Sequence, residues 1–216
     1  MKSSDAITRP HDSNAPTDER RDERRICLTF DDGPDPVWTP RVLQALREAD
    51  ARATFFVLGP LASRYPRLIR EILGNGHRVD LHCTRHIRHT QLTRREAEED
   101  TRLGLRALAG AGASPALWRP PWGVLAPWTR EVADSHGLRL ALWTEDTRDW
   151  RGDSADEMLR AVENELRPGS VVLMHDGIGP GARREGCEQT VELVGKLARR
   201  IREIGCAPEL AGMDHA

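Results

Sequence analysis

Short apolar segments alternate with amphipathic segments along most of this chain of 216 residues. Apolar runs that contain β-branched and aromatic residues are typical of buried strands, as at residues 26–30, 53–58 and 170–175. Between such runs, apolar residues recur at helical spacing over segments of about 10 to 18 residues. Strands separated by helices of this length pair in parallel. The sequence therefore predicts an α/β fold, either a barrel or a doubly wound sheet.

Helix start signals fix the bounds of several predicted elements. Pro40 and Pro66 stand at first helical positions, where a missing N–H costs nothing. Thr93 with Glu96 forms a predicted capping box, and Ser154 caps another helix in the same way. The predicted strands cover residues 26–30, 53–58, 77–81, 117–118, 138–143, 170–175 and 206–210. The predicted helices cover residues 39–49, 65–74, 93–109, 127–137, 154–166 and 187–204.

Length and composition indicate one domain over residues 26–210, preceded by a polar tail at 1–25 and followed by a short tail at 211–216. The first tail has too few apolar residues to order itself, and it lacks the apolar core of a secretory signal. With no membrane span in the sequence, we expect a cytoplasmic protein. The net charge of −2 gives no electrostatic case for binding nucleic acid or an anionic membrane.

Cysteine usage also suits a reducing compartment, because no pair of cysteines has Cys-x-x-Cys spacing. We expect reduced thiols at all four positions. These are Cys27, Cys83, Cys187 and Cys206.

Unusual polar residues follow almost every predicted strand. Because the carboxyl ends of parallel strands meet on one face of an α/β fold, these residues are expected to share a site. They are Asp31 and Asp32 after the first strand, His82 and His86 after the third, Arg119 after the fourth, Asp146 and Asp149 after the fifth, and His175 after the sixth. Taken alone, each has a simpler interpretation. Asp-Asp-Gly-Pro is also an ordinary turn sequence.

His82 and His86 are four residues apart, which places two imidazoles one helical turn from each other. With Asp32 they form a set of two histidines and one carboxylate, a ligand set that catalytic zinc uses. The same set suits non-haem iron(II), so the ligands alone do not name the metal. A histidine pair at this spacing is also common on a solvated surface. We expect one divalent ion, with zinc favoured and cobalt, nickel, manganese or iron as alternatives.

The remaining polar residues fit acid–base chemistry beside such an ion. Side chains alternate along a strand, so Asp31 is expected to diverge from Asp32 and to act as general base. Arg119 can pair with Asp31. His175 can protonate a leaving group, with Asp149 holding it in the charged form, although a core histidine with one hydrogen bond is an equal alternative.

These residues resemble the five motifs of the polysaccharide deacetylase family, the NodB homology domain of carbohydrate esterase family four. The resemblance extends over almost all of residues 26–210. The matching residues are Thr29–Pro34 for the first motif, His82 and His86 for the second, Arg119–Gly123 for the third, Asp149–Trp150 for the fourth, and Leu173–His175 for the fifth.

The resemblance implies a distorted (β/α)7-type barrel and metal-dependent hydrolysis of an N-acetyl or O-acetyl group. It implies that Asp31 is the base, that Asp32, His82 and His86 hold the metal, and that Arg119 orients the base. It further implies that Asp149 tunes the acid His175. It assigns the backbone N–H of Trp122 to the oxyanion and Leu173 to the acetyl pocket. Trp122 and Trp150 are expected to line the cleft, although tryptophan is equally common in cores.

Two residues depart from the family pattern in the metal-binding loop. Cys83 follows the first histidine where the family has Ser or Thr, and Ile87 follows the second where it has Pro. The loop hydrogen bonds are therefore expected to differ, and a Cys83 thiolate would compete for the metal. Because family members that act on cell-wall polymers carry an export signal or anchor, we favour a soluble acetylated sugar or a small acetylated amide as substrate.

Two other functions fit the same residues. One is hydrolysis of a non-sugar C–N bond, as in a cyclic imide or ureide. The other is a non-catalytic sugar-binding relic altered at Cys83 and Ile87. The presence of both a base and an acid favours an enzyme, a hydrolase of carbon–nitrogen bonds other than peptide bonds.

Overall fold

A computed structural model describes residues 24–210 of the chain. The predicted tails at 1–25 and 211–216 lie outside the described residues, apart from Arg24 and Arg25. Arg25 is the first residue of strand β1, one residue before the predicted start, and the main-chain oxygen of Arg24 accepts a hydrogen bond from the N–H of Ala207 at 2.9 Å. Among residues 24–210, none of the helices has both the length and the apolar character that crossing a membrane requires.

Eight strands and seven α-helices follow one another in the described chain. The strands are β1 Arg25–Asp31, β2 Ala53–Leu58, β3 Arg78–Cys83, β4 Leu117–Trp118, β5 Arg139–Leu140, β6 Glu145–Asp146, β7 Val171–His175 and β8 Ala207–Pro208. The helices are α1 Trp38–Glu48, α2 Gly59–Arg64, α3 Pro66–Gly74, α4 Arg94–Ala111, α5 Thr129–Ser135, α6 Ala155–Val162 and α7 Glu188–Glu203. Helix α2 is not predicted from the sequence, whereas both predicted capping boxes, at Thr93 and Ser154, are present.

All strand pairs are parallel, in the order β5-β4-β3-β2-β1-β7-β6, with β8 beside the start of β1. This is the predicted α/β class and the distorted barrel of (β/α)7 type. The barrel is open between its end strands β5 and β6. Residues 141–144 connect these two strands along the chain, so the prediction of one continuous strand over 138–143 is wrong.

Alternate residues of β1 belong to two different environments. Ile26, Leu28 and Phe30 are fully buried in the large apolar core, which also includes residues of the surrounding helices. Cys27 packs in a second, smaller cluster with Phe56, Leu117 and Ala141. Thr29 and Asp31 share the face of Cys27, because side chains of a strand alternate with period two. The strand therefore presents polar groups to the barrel interior while its other face supports the fold.

Candidate active site

Three potential metal ligands meet at the end of the sheet. Oδ1 of Asp32 lies 3.5 Å from Nε2 of His82 and 3.3 Å from Nε2 of His86. One ligand atom from each residue lies within 4.8 Å of the other two. Among the described residues, this Oδ1 is buried and accepts no hydrogen bond of good geometry. The three side chains therefore direct potential ligand atoms toward one another.

The backbone positions of these ligands differ from the sequence prediction. His82 lies inside strand β3, not in the loop after it, and only His86 is in the loop, so the two are not one helical turn apart. Asp32 diverges from Asp31 as predicted, but the cause is its left-handed backbone with φ of 70°. Nδ1 of His82 donates to the main-chain oxygen of Arg119 at 2.6 Å, which leaves Nε2 available as a ligand.

Electrostatic interactions keep the carboxylate of Asp32 ionised, as cation binding requires. Burial opposes its ionisation, but its contacts with His82 and His86 outweigh burial and lower the pKa of the carboxyl far below its usual range. Two glycines of the segment after β7 pack directly on this residue. A Cβ at Gly177 or Gly179 would overlap the main chain or the carboxylate of Asp32, so only glycine allows this approach.

Asp100 of helix α4 holds the loop between His82 and His86. Its carboxylate accepts hydrogen bonds from the main-chain N–H of Thr84 at 2.8 Å and of Arg85 at 2.9 Å. Cys83 is buried and does not belong to the ligand cluster. Burial, with added repulsion from nearby carboxylates, raises the pKa of its thiol well above the usual value, so the predicted thiolate competitor is absent at neutral pH.

Asp31, the proposed base, is held by a fully buried arginine. Nη1 of Arg119 donates to Oδ1 of Asp31 at 2.8 Å and to the hydroxyl of Thr29 at 2.7 Å. Its other nitrogens donate to the main-chain oxygens of Ala141 and Leu142, in the segment between β5 and β6. The guanidinium thus fixes the carboxylate and also satisfies carbonyls that have no strand partner.

His175, the proposed acid, is the last residue of β7 and is held by Asp149. Its Nδ1 lies 2.7 Å from Oδ1 of Asp149, and its main-chain N–H donates to Oδ2 at 2.9 Å. Burial disfavours the imidazolium, but the charge and hydrogen bond of Asp149 outweigh it and raise the pKa of His175 to about 9. The ring is therefore a charged proton donor at neutral pH, and Nε2 is the nitrogen left free.

One cleft of about 460 Å³ is lined by Asp31, Asp32, His82, His86 and His175. Trp122 and Trp150 line it, as predicted, and so do Leu173 and Trp143. The ring of Trp122 packs edge-on against His86 with centroids 4.2 Å apart. Among the described residues, two of the four non-glycine residues with positive φ, Asp32 and Trp122, line this cleft. Such backbone strain collects where a site fixes its geometry.

Sequence reasoning missed Arg184 and Asp176. Arg184 donates to Oδ2 of Asp149 at 2.9 Å from a loop with no recognisable pattern. Asp176 stands at the end of β7, so the strand-end signal that identified His175 applies to it as well. Burial raises the pKa of Asp176 to about 7, and Thr39 donates to its carboxyl. A Cβ at Gly33 would overlap this carboxyl, which explains the glycine of the first motif.

Comparison with known proteins identifies the family. The family model described as polysaccharide deacetylase matches residues 18–141. A chitooligosaccharide deacetylase from Bradyrhizobium is 36% identical over 201 residues, which cover 87% of this chain and 90% of the relative. A peptidoglycan-N-acetylglucosamine deacetylase from Bacillus cereus is 33% identical over 185 residues, 85% of this chain and 84% of the relative.

A solved structure supports the same assignment. The family 4 carbohydrate esterase from Streptomyces lividans, in complex with acetate, superposes with a TM-score of 0.76 and 34% sequence identity. The superposition covers 85% of this chain and 91% of the esterase. The chain belongs to the polysaccharide deacetylase family, carbohydrate esterase family four.

Proposed function

We propose that this protein is a metal-dependent hydrolase that removes an acetyl group from an acetylated amino sugar or a small acetylated amide. One observation carries the proposal. Three ligand atoms within 4.8 Å of one another stand in a cleft that Asp31 and His175 also line. Arg119 holds the carboxylate of Asp31, and Asp149 holds the ring of His175. The two relatives named above are deacetylases of amino sugars, and their enzyme class agrees with the class predicted from the sequence.

The donor set fits a divalent metal. It combines one ionised carboxylate with two imidazoles, and Oδ1 of Asp32 has no hydrogen-bond donor of good geometry among residues 24–210. Three protein ligands of this kind are typical of catalytic zinc, and cobalt, nickel, manganese and iron accept the same ligands. An ion held there would polarise the acetyl carbonyl and make a water molecule easier to deprotonate.

Asp31 supplies the base. Its side chain is 5% exposed and the carboxylate is fixed by Arg119, so it keeps one orientation toward the cleft. A base positioned in this way takes a proton from the attacking water and contributes about 10²- to 10⁴-fold to the rate. The water oxygen forms the new bond to the acetyl carbon and ends in the acetate product.

His175 supplies the acid. As the bond between the acetyl carbon and nitrogen breaks, the imidazolium gives its Nε2 proton to the departing nitrogen, which leaves as an amine. Asp149 accepts the hydrogen bond of Nδ1–H and compensates the positive charge of the ring. The proton taken up by Asp31 balances the proton given by His175, so the pair returns to its starting state by exchanging one proton with solvent.

The apolar wall of the cleft fits the acetyl methyl group and a sugar ring. Leu173 is 4% exposed beside the catalytic residues, which suits contact with a methyl group. Trp122 and Trp150 present rings to the cleft, and flat aromatic surfaces pack well against the apolar faces of sugars. The cytoplasmic location stays a prediction, which cell fractionation with an antibody to the protein tests.

Acetate release from soluble acetylated amino sugars and amides, with and without divalent metals, tests the function. Chelation is expected to reduce turnover by roughly 10³-fold, because several kcal/mol of transition-state stabilisation are lost, and zinc is expected to restore it. If the protein hydrolyses a cyclic imide or ureide and releases no acetate from the acetylated substrates, the non-sugar reaction would replace the proposed one. Sugar binding that persists after chelation, with no turnover of any substrate, would indicate the binding relic.

A further inference from the structure

Arg184 joins three separate parts of the acid side of the site. It lies in the loop between β7 and α7, and its side chain is only 6% exposed. Nη1 donates to Oδ2 of Asp149 at 2.9 Å and to the hydroxyl of Thr190, at the start of α7. Nη2 donates to the main-chain oxygens of His175 at 3.0 Å and of Gly177 at 3.2 Å. One guanidinium therefore ties the carboxylate to the end of β7.

Asp149 depends on these contacts for its orientation. Its Oδ1 contacts the ring of His175, while Oδ2 accepts from the main-chain N–H of His175, from Thr190 at 2.8 Å and from Arg184. The carboxylate is fully buried. A buried carboxylate that loses a cationic partner is strongly destabilised and reorients toward other donors. Removal of Arg184 would therefore release the group that fixes the imidazole.

We propose that Arg184 is a positioning residue for proton donation. Through Asp149 it fixes the ring of His175, so that Nε2 meets the departing nitrogen. This inference rests on the proposed function. Arg184 touches no reacting atom in this mechanism, and its effect passes entirely through Asp149.

If Arg184 positions the proton donor, the effect of its substitution on the rate depends on the leaving group. An amine leaves an acetamide only after its nitrogen gains a proton, and a misplaced His175 slows that step. Nitrophenolate leaves an aryl acetate without protonation, so the base and the metal suffice for that substrate. Damage to the whole site would slow both reactions, whereas damage to proton donation alone would slow only the amide.

The full-length protein with one equivalent of zinc is assayed on tetra-N-acetylchitotetraose and on 4-nitrophenyl acetate. For Arg184→Ala we expect kcat on the sugar amide to fall about 10- to 100-fold, while its KM and the ester turnover change less than about threefold. Arg184→Lys, which keeps one donor for Asp149, is expected to recover part of the loss. Arg183→Ala removes the same side chain at the adjacent exposed position and is expected to change neither reaction.

Thr190→Val is the second variant and covers the case in which Arg184→Ala does not fold. It removes the hydroxyl that donates to Asp149 without changing a charge, and we expect the same selective loss on the amide, smaller than about tenfold. Equal losses on amide and ester, or no loss on the amide, would overturn the role of Arg184.

An NMR measurement separates this inference from the proposed function. The Nδ1–H of His175, shared with Asp149, is expected to give a far-downfield proton resonance that shifts in Arg184→Ala and stays unchanged in Arg183→Ala. If the unaltered protein releases no acetate, the proposed function fails, and the resonance still decides whether Arg184 positions the ring. An unmoved resonance in Arg184→Ala would contradict the inference.

Discussion

The base side and the acid side of the site are each built around one buried arginine with the same kinds of partner. Arg119 donates to the carboxylate of Asp31, to a threonine hydroxyl and to two main-chain carbonyls. Arg184 donates to the carboxylate of Asp149, to a threonine hydroxyl and to two main-chain carbonyls. The difference is the role of the carboxylate, which is the proposed base itself on one side and a support for the proposed acid on the other.

Both arginines stand where strand pairing ends. Arg119 takes the carbonyls of residues 141 and 142, in the gap between β5 and β6, and Arg184 takes those of residues 175 and 177, where β7 ends. Buried carbonyls need a donor, and a guanidinium can serve two of them and a carboxylate together. The candidate site therefore lies where strands lack pairing partners, and the arginines that replace the strand hydrogen bonds also hold the carboxylates of Asp31 and Asp149.

The largest effect is expected on the base side, from Asp31→Asn. The amide keeps the shape of the side chain and can still accept from Arg119, but it cannot take a proton from water. We expect acetate release to fall by about 10³-fold or more, with zinc content unchanged by elemental analysis. Loss of zinc in this variant would mean that the roles of Asp31 and Asp32 are reversed.

Arg119→Met is expected to give the largest loss of stability. The variant leaves the carboxylate of Asp31 buried without its cation and two carbonyls without donors, a loss of about 3–5 kcal/mol in the free energy of unfolding. Urea denaturation measures it, with Arg102→Ala in an exposed ion pair as a control that is expected to leave the denaturation midpoint almost unchanged. The double variant Asp31→Asn/Arg119→Met is expected to lose less than the sum of the two single changes. Additive losses would contradict the pairing.

The two arginines also differ in how far the sequence predicts their positions. Arg119 is recognisable because it directly follows a predicted strand and precedes two prolines, so its position at the strand end is read locally. Arg184 stands beside Arg183 in a segment without periodicity, and nothing local separates the buried arginine from the exposed one. Only the approach of Asp149, 35 positions earlier in the chain, distinguishes them.

The same limit applies to the strands. Residues 138–143 have the apolar pattern of one strand, and the sequence gives no reason to end it at residue 140. In the structure, strand pairing stops there, and the carbonyls of the next two residues accept from the side chain of Arg119, 22 and 23 positions earlier. Local patterns thus predict the order and direction of the strands, and long-range side-chain contacts decide where pairing stops.

The smallest expected effect is a pH dependence of stability on the acid side, measured on the metal-free protein. The pKa of His175 is raised to about 9 in the fold from an ordinary value of 6.5. Its pairing with Asp149 therefore stabilises the fold fully below pH 6.5 and less as the pH rises through 9, a change of at most about 3 kcal/mol. We expect the stability gap between the unaltered protein and Asp149→Asn, from urea denaturation, to narrow over this interval.

His77 provides a control of opposite sign. Its burial, with the charge of Arg52, lowers its pKa to about 4, so its contribution is present above pH 6.5 and is lost as the pH falls through 4. The gap between the unaltered protein and His77→Asn is therefore expected to stay constant between pH 6.5 and 9. If the Asp149→Asn gap is equally constant there, the ring of His175 is not held as an imidazolium. The acid side would then lack the charged donor that distinguishes it from the base side.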